Sequence, residues 1–125
     1  MPNSLTVTFE GDHILVHADG DKDMTYATKL WAQVVSACEK YNCFNVLAIS
    51  RSSTPLEAQD SYEYVRLYRK LGIDDRYRIA WVELELEASD IASFIETVLA
   101  GRGYPDRGFP SEAEARKWLL GAEKS

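Results

Sequence analysis

The chain predicts an α/β domain: an open mixed sheet of about five strands with helices on both faces, in the order β-β-α-β-α-β-α-β-α. Three observations predict it. Two short alternating segments open the chain as a hairpin. Apolar strand-like runs then alternate with stretches of helical period. The chain closes on a short capped helix bearing Trp118, Leu119 and Leu120.

Residues 5–9 and 14–18 alternate apolar and polar side chains across Glu10, Gly11 and Asp12, which supply the turn of the hairpin. Met24, Ala27, Leu30, Trp31, Val34, Cys38 and Tyr41 draw one apolar stripe along a helix from about Asp23 to Tyr41, and Asn42 ends it. Residues 44–49 form a nearly continuous apolar run, the pattern of a central strand covered on both faces. Thr54, Pro55 and Glu57 make a capping box with proline at the first helical position, so the second helix is expected to start at Thr54 and to stop at Leu71 before Gly72. Residues 78–84 predict a strand with Ile79 and Trp81 on one face and Ala80 and Val82 on the other. Ser89 or Asp90 is expected to cap a third helix, with Ile91, Phe94, Ile95, Val98 and Leu99 facing the core and Gly101-Arg102-Gly103 closing it. A short strand at residues 107–109 leads to a second capping box, Ser111 with Glu114, and a helix carrying Ala115, Trp118 and Leu119. No linker or repeat interrupts the series, so residues 1–125 read as one domain, and right-handed crossovers are expected to divide the helices between the two faces.

Residues 94–96 through Gly101-Arg102-Gly103-Tyr104, then Arg107-Gly108-Phe109-Pro110-Ser111-Glu112-Ala113-Glu114-Ala115 and Trp118-Leu119, resemble the closing signature of SpoIIAA-like proteins. These are similar to STAS domains, the anti-sigma factor antagonists, and share a fold with CRAL-TRIO lipid-binding domains. The resemblance covers the element order of nearly the whole chain and recognisable residues over about the last thirty positions. It implies a non-enzymatic regulatory or binding domain, often a homodimer, with a protein partner. In antagonists a phosphorylatable serine follows an Asp at the start of the second helix. Asp60-Ser61 is the pair nearest that place. A helix beginning at Thr54 puts Ser61 two turns inside, away from free backbone amides and the positive dipole end, so an ordinary solvent-facing serine is expected.

Charge bounds the partners. A net charge of -6 with no Lys/Arg run repels phosphate backbones, which argues against nucleic acid. No basic segment precedes an apolar stretch at the start, and no apolar run approaches the roughly 20 residues of a membrane span, so a cytoplasmic protein is expected. Cys38 and Cys43 are too few for a disulfide framework and are expected as free thiols.

The first candidate site is the junction of the central strand and the second helix, where Ser50, Arg51, Ser52, Ser53 and Thr54 crowd together. Open α/β sheets bind ligands at the carboxyl ends of their strands, although a strand-helix loop also needs hydroxyl caps on its own account. The second is a cleft lined by Tyr62, Tyr68 and Trp81, suited to a small apolar or lipid-like ligand; the alternative is a helix packing ring bodies on the sheet. Tyr64 is expected on a different face from Tyr62. His13 and His17, on one face of a strand, stand about 13 Å apart and cannot share a metal; both are expected exposed. The acidic sets Asp19, Asp21, Asp23 and Glu83, Glu85, Glu87 lack the glycine and distant glutamate of a calcium loop, so no metal and no cofactor is expected. An enzyme is the least favoured reading, since a nucleophile such as Ser53 has no evident base.

Overall fold

The computed structural model describes residues 4–54 and 56–121, the side chains of Ser53 and Thr54 excepted. Its five strands, β1 (Ser4–Phe9), β2 (Ile14–Asp21), β3 (Asn45–Thr54), β4 (Arg78–Glu83) and β5 (Asp106–Phe109), form a single sheet in the order β1-β2-β3-β4-β5. The hairpin strand β1 runs antiparallel to β2, and the remaining pairings are parallel. The expected central strand, β3, lies at the middle of the sheet.

Because the parallel strands succeed one another in order, crossovers of one hand place all connecting helices on one side. There α1 (Met24–Tyr41), α2 (Asp60–Leu71) and α3 (Leu86–Gly101) bury Trp31, Val34, Tyr68, Ile95 and Leu99 against Ile14, Val16, Val46 and Ile79 of the sheet. The other face, Leu47, Ile49, Ala80 and Val82, is closed by α4 (Glu112–Arg116) and a π-helical turn (Lys117–Gly121), through Ala115 and Leu119. Both faces are covered, with the α-helices of the described residues divided three to one. This is why β3 and β4 carry continuous apolar runs rather than alternation.

Local signals placed most ends. Asp23 caps α1 by accepting from the Tyr26 amide at 2.8 Å, and Asn42 ends it in the left-handed region at φ 50°. Gly72 ends α2 at φ 78°, and Ser111 caps α4 by accepting from the Glu114 amide at 3.3 Å. Phe9 and Tyr41, both partly exposed, stack on each other at 4.4 Å.

Four expectations are corrected. Thr54 does not cap α2: β2 continues through Asp19 and Gly20 to Asp21 and pairs with Arg51, Ser52 and Thr54, so the sheet keeps residues 50–54 and the helix starts only at Asp60. Pro55 lies outside the described residues. Glu85, not Ser89 or Asp90, takes the N-cap position of α3, and the Ser89 hydroxyl donates back to the Leu86 carbonyl at 2.7 Å within the helix. Phe94 faces outward, 45% exposed, while Ala88, Ile95 and Leu99 are buried. His13 is not exposed: it sits in the turn before β2, buried, with Nδ1 2.6 Å from Asp12 Oδ1, whereas His17 is exposed on β2. The free thiol of Cys38 is fully buried, which pushes its pKa up to about 12 and keeps it protonated.

Candidate functional site

The parallel strands end together on one edge, where the β4–α3 junction meets the extended end of β3. Glu83, opposite Ser50 in the register, holds this edge together. Its Oε1 accepts from the hydroxyls of Ser50 at 2.9 Å and Ser52 at 2.7 Å, and its Oε2 accepts from the backbone amides of Ser52 at 3.0 Å and Glu85 at 3.1 Å. Four donors occupy the acceptor positions of the carboxylate, an arrangement that fixes its geometry. Arg51 projects outward and pairs with Glu85 at 3.0 Å. Its carbonyl accepts from Lys22 Nζ at 3.3 Å, which also donates to the Gly20 carbonyl at 3.1 Å. Burial lowers the Lys22 pKa, opposed by the nearby carboxylates of Glu83, Asp19 and Asp21.

Under this rim lies an apolar cleft of about 50 Å³ between α1, α2, α3 and the sheet. Tyr26, Trp31, Tyr64 and Trp81 supply its aromatic wall, with Lys22, Ser50, Ser52 and Glu83 at its polar end. The indole of Trp31 donates to Tyr64 Oη at 3.0 Å. The Trp81 ring centroid lies 5.6 Å from that of Trp31 and 5.8 Å from that of Tyr64, within the range of favourable tilted ring contacts. Burial holds the Tyr64 hydroxyl protonated far above neutral pH. Tyr26 is raised to about 12, first by burial and then by Asp19, and donates to the Ser4 carbonyl at 2.7 Å.

Behind the cleft, Asp106 on β5 is buried, and its Oδ2 accepts from Tyr68 Oη at 2.5 Å and Trp81 Nε1 at 2.6 Å. Burial lifts its pKa to about 7 against the lowering effect of those two donors. Asp106 therefore sets the position of Trp81 in the cleft wall.

Of the residues expected at the site, Arg51 and Ser52 stand on the edge, and Ser53 and Thr54 continue β3 with side chains outside the described set. Tyr62, Tyr68 and Trp81 do not share a cleft. Tyr62 is 58% exposed, Tyr68 is fully buried behind Trp81, and only Trp81 lines the cavity. Helical geometry gives the reason: positions 62 and 68 point about 120° apart, whereas 64 and 68 lie within about 40° of each other. Lys22 and Asp106 are the residues that sequence reasoning missed; Glu83 is expected only in an acidic set, and Trp31 and Tyr64 on helical faces rather than at the site. The four-residue spacing of Tyr64 and Tyr68 was the available signal. Ser61 is also relocated: it is the second residue of α2, and it is fully buried, with no partner for its hydroxyl among the described residues, not solvent-facing.

Among the described residues no group of three or more His, Cys, Asp or Glu side chains is placed to hold a metal, and no helix is long and apolar enough to cross a membrane. The edge is a rigid, self-satisfied frame around a small apolar cavity. Such a frame suits recognition.

The sequence matches no family model and no curated protein. Solved structures do match. An anti-sigma factor antagonist from Mycobacterium paratuberculosis superposes with a TM-score of 0.62 at 15% identity, over 94% of each chain. An uncharacterized protein of the DUF3478 family with a SpoIIAA-like fold, from Shewanella loihica PV-4, superposes with a TM-score of 0.53 at 16% identity, again over 94% of each chain. The likeness is one of fold, and it agrees with the element order expected from the sequence.

Proposed function

Proceeding from a SpoIIAA-like fold, we propose that the chain is a non-enzymatic regulatory domain that acts by binding a protein partner at the carboxyl edge of its parallel strands. One observation carries the reading. Tyr62 at the start of α2, and Leu84 and Leu86 around the start of α3, are 58%, 43% and 85% exposed at the edge that also presents Arg51. Large apolar side chains left in water beside a rigid polar frame are the usual composition of a recognition surface. A cytoplasmic location and self-association as a homodimer belong to the same reading, and sedimentation equilibrium would separate dimer from monomer.

A carrier of a lipid-like ligand is less well supported. Cavities that enclose such molecules run to roughly 300–1,000 Å³, several times the volume of this cleft. An antagonist-type phosphoswitch at Ser61 would first require the start of α2 to open, because its hydroxyl is fully buried.

The test is cross-linking mass spectrometry on the tagged full chain in the cells that make it. Leu86→Ser and Arg51→Ala should each remove the cross-linked protein while leaving the thermal midpoint within a few degrees, since one side chain is in water and the other is in an exposed ion pair worth about 0–1 kcal/mol. Arg116→Glu, on the opposite face, should not. A partner retained by both edge variants overturns the proposal.

A further inference from the structure

We infer that the cleft beneath Glu83 is an anchor pocket for one aliphatic side chain of the partner polypeptide, presented between basic neighbours. The inference rests on the protein-binding reading and names what that edge selects. The cleft is walled by rings and by Ala27, Ala92 and Ile95, and its volume of about 50 Å³ suits a group of a few carbons. A free molecule of that size would have little beyond the cleft to hold it. An anchor borne by a larger partner gains the rest of its affinity from the rim, as buried central side chains do in protein interfaces.

The rim sets the flanking chemistry. Asp23 and Glu83 line the cleft with Lys22, Asp19 and Asp21 lie near enough to act on that lysine, and Glu85 pairs with Arg51, so carboxylates outnumber cations five to two along this edge. The polar groups of Ser50, Ser52 and Glu83 already satisfy one another, which leaves the polar end of the cleft with no demand for a polar ligand group. An acidic rim around an apolar hole favours an aliphatic residue with Lys or Arg beside it and opposes an acidic segment.

The test titrates the isotopically labelled full chain with three capped tripeptides, Lys-Leu-Lys, Lys-Ala-Lys and Glu-Leu-Glu, and follows the indole N–H resonances. Lys-Leu-Lys should shift Trp31 and Trp81 saturably and leave Trp118, on the other face, unmoved. The other two peptides should bind at least about tenfold more weakly. Ala92→Leu fills the cleft and should abolish the shifts. Indoles that do not move, or that move equally for all three peptides, overturn the anchor. The cross-linked partner separates the two failures: if it is retained by Ala92→Leu but lost by Leu86→Ser, the anchor is wrong and the binding edge stands, whereas retention by both edge variants removes the edge itself.

Discussion

Tyr68 and Asp106, thirty-eight positions apart, are joined by a hydrogen bond of 2.5 Å between Tyr68 Oη and Asp106 Oδ2, which ties α2 to the short edge strand β5. Asp106 is buried, and among the described residues its second oxygen has no partner. The site therefore favours the protonated acid, with its pKa raised from 3.8 to about 7. For a carboxyl shifted upward, the folded state holds a proton that the unfolded chain releases between those two values, so stability falls as pH rises through that window and levels off beyond it. At about 1.4 kcal/mol per unit, the total is a few kcal/mol. Urea unfolding of Asp106→Asn against the native chain isolates this contribution. The variant should lack the decline between pH 4 and 7 and be the more stable of the two at pH 8. An identical decline in both proteins would assign the slope to other carboxyls.

The same bond predicts a pH-dependent cost for Tyr68→Phe. Above pH 7 the lost donor faces an ionised carboxylate, and hydrogen bonds to charged groups are worth about 1.5–3 kcal/mol; below it the partner is neutral and the loss is closer to about 1 kcal/mol. Unfolding at pH 5 and pH 8 should show the larger penalty at pH 8. Equal penalties would mean that Asp106 does not change charge between them.

Asn42 ends α1 in the left-handed region at φ 50°, where its amide donates to the Cys38 and Glu39 carbonyls. Glycine adopts this conformation without a Cβ penalty, and alanine does not. Asn42→Gly should be neutral or stabilising by a few tenths of a kcal/mol, and Asn42→Ala should cost about 1 kcal/mol. Thermal midpoints in the order Gly, Asn, Ala would bear this out, and Ala at or above Gly would not.

Local chemistry was legible wherever it acted alone. The stripe from Met24 to Cys38, the cap at Ser111 and the stop at Gly72 each depend on a few neighbouring residues, and each stands where the sequence places it, while Tyr41 at the end of the stripe is exposed and stacks on Phe9. Thr54-Pro55-Glu57 carries an equally strong local cap signal and fails, because the pairing of Asp21 with Thr54 across thirty-three positions outweighs it. That single override displaced the start of α2 and, with it, the environment of Ser61. The cleft was hidden for a related reason: Lys22, Trp31, Tyr64 and Glu83 come from the loop between β2 and α1, from α1, from α2 and from β4, and only the sheet order brings them together. Aromatic residues could be recognised as a group, but which of them shared a cavity depended on where α2 begins.

Glu83 offers the most direct test of the edge itself. Its two oxygens receive four donors, two of them the backbone amides of Ser52 and Glu85. Glu83→Gln keeps the shape but exchanges one acceptor oxygen for an NH₂ group, which cannot accept from two donors already pointed at it, and it removes the charge that strengthens the remaining bonds. The cost should be about 1.5–3 kcal/mol and should be local. Hydrogen exchange should accelerate at Ser52 and Glu85, while amides of the far-face residues Leu47 and Ala80, nearer the amino ends of β3 and β4, keep their rates relative to global stability. If Ser52 and Glu85 exchange no faster than in the native chain once global stability is accounted for, the carboxylate does not hold the edge, and the rigid frame on which both the binding surface and its anchor pocket depend must come from the sheet pairing alone.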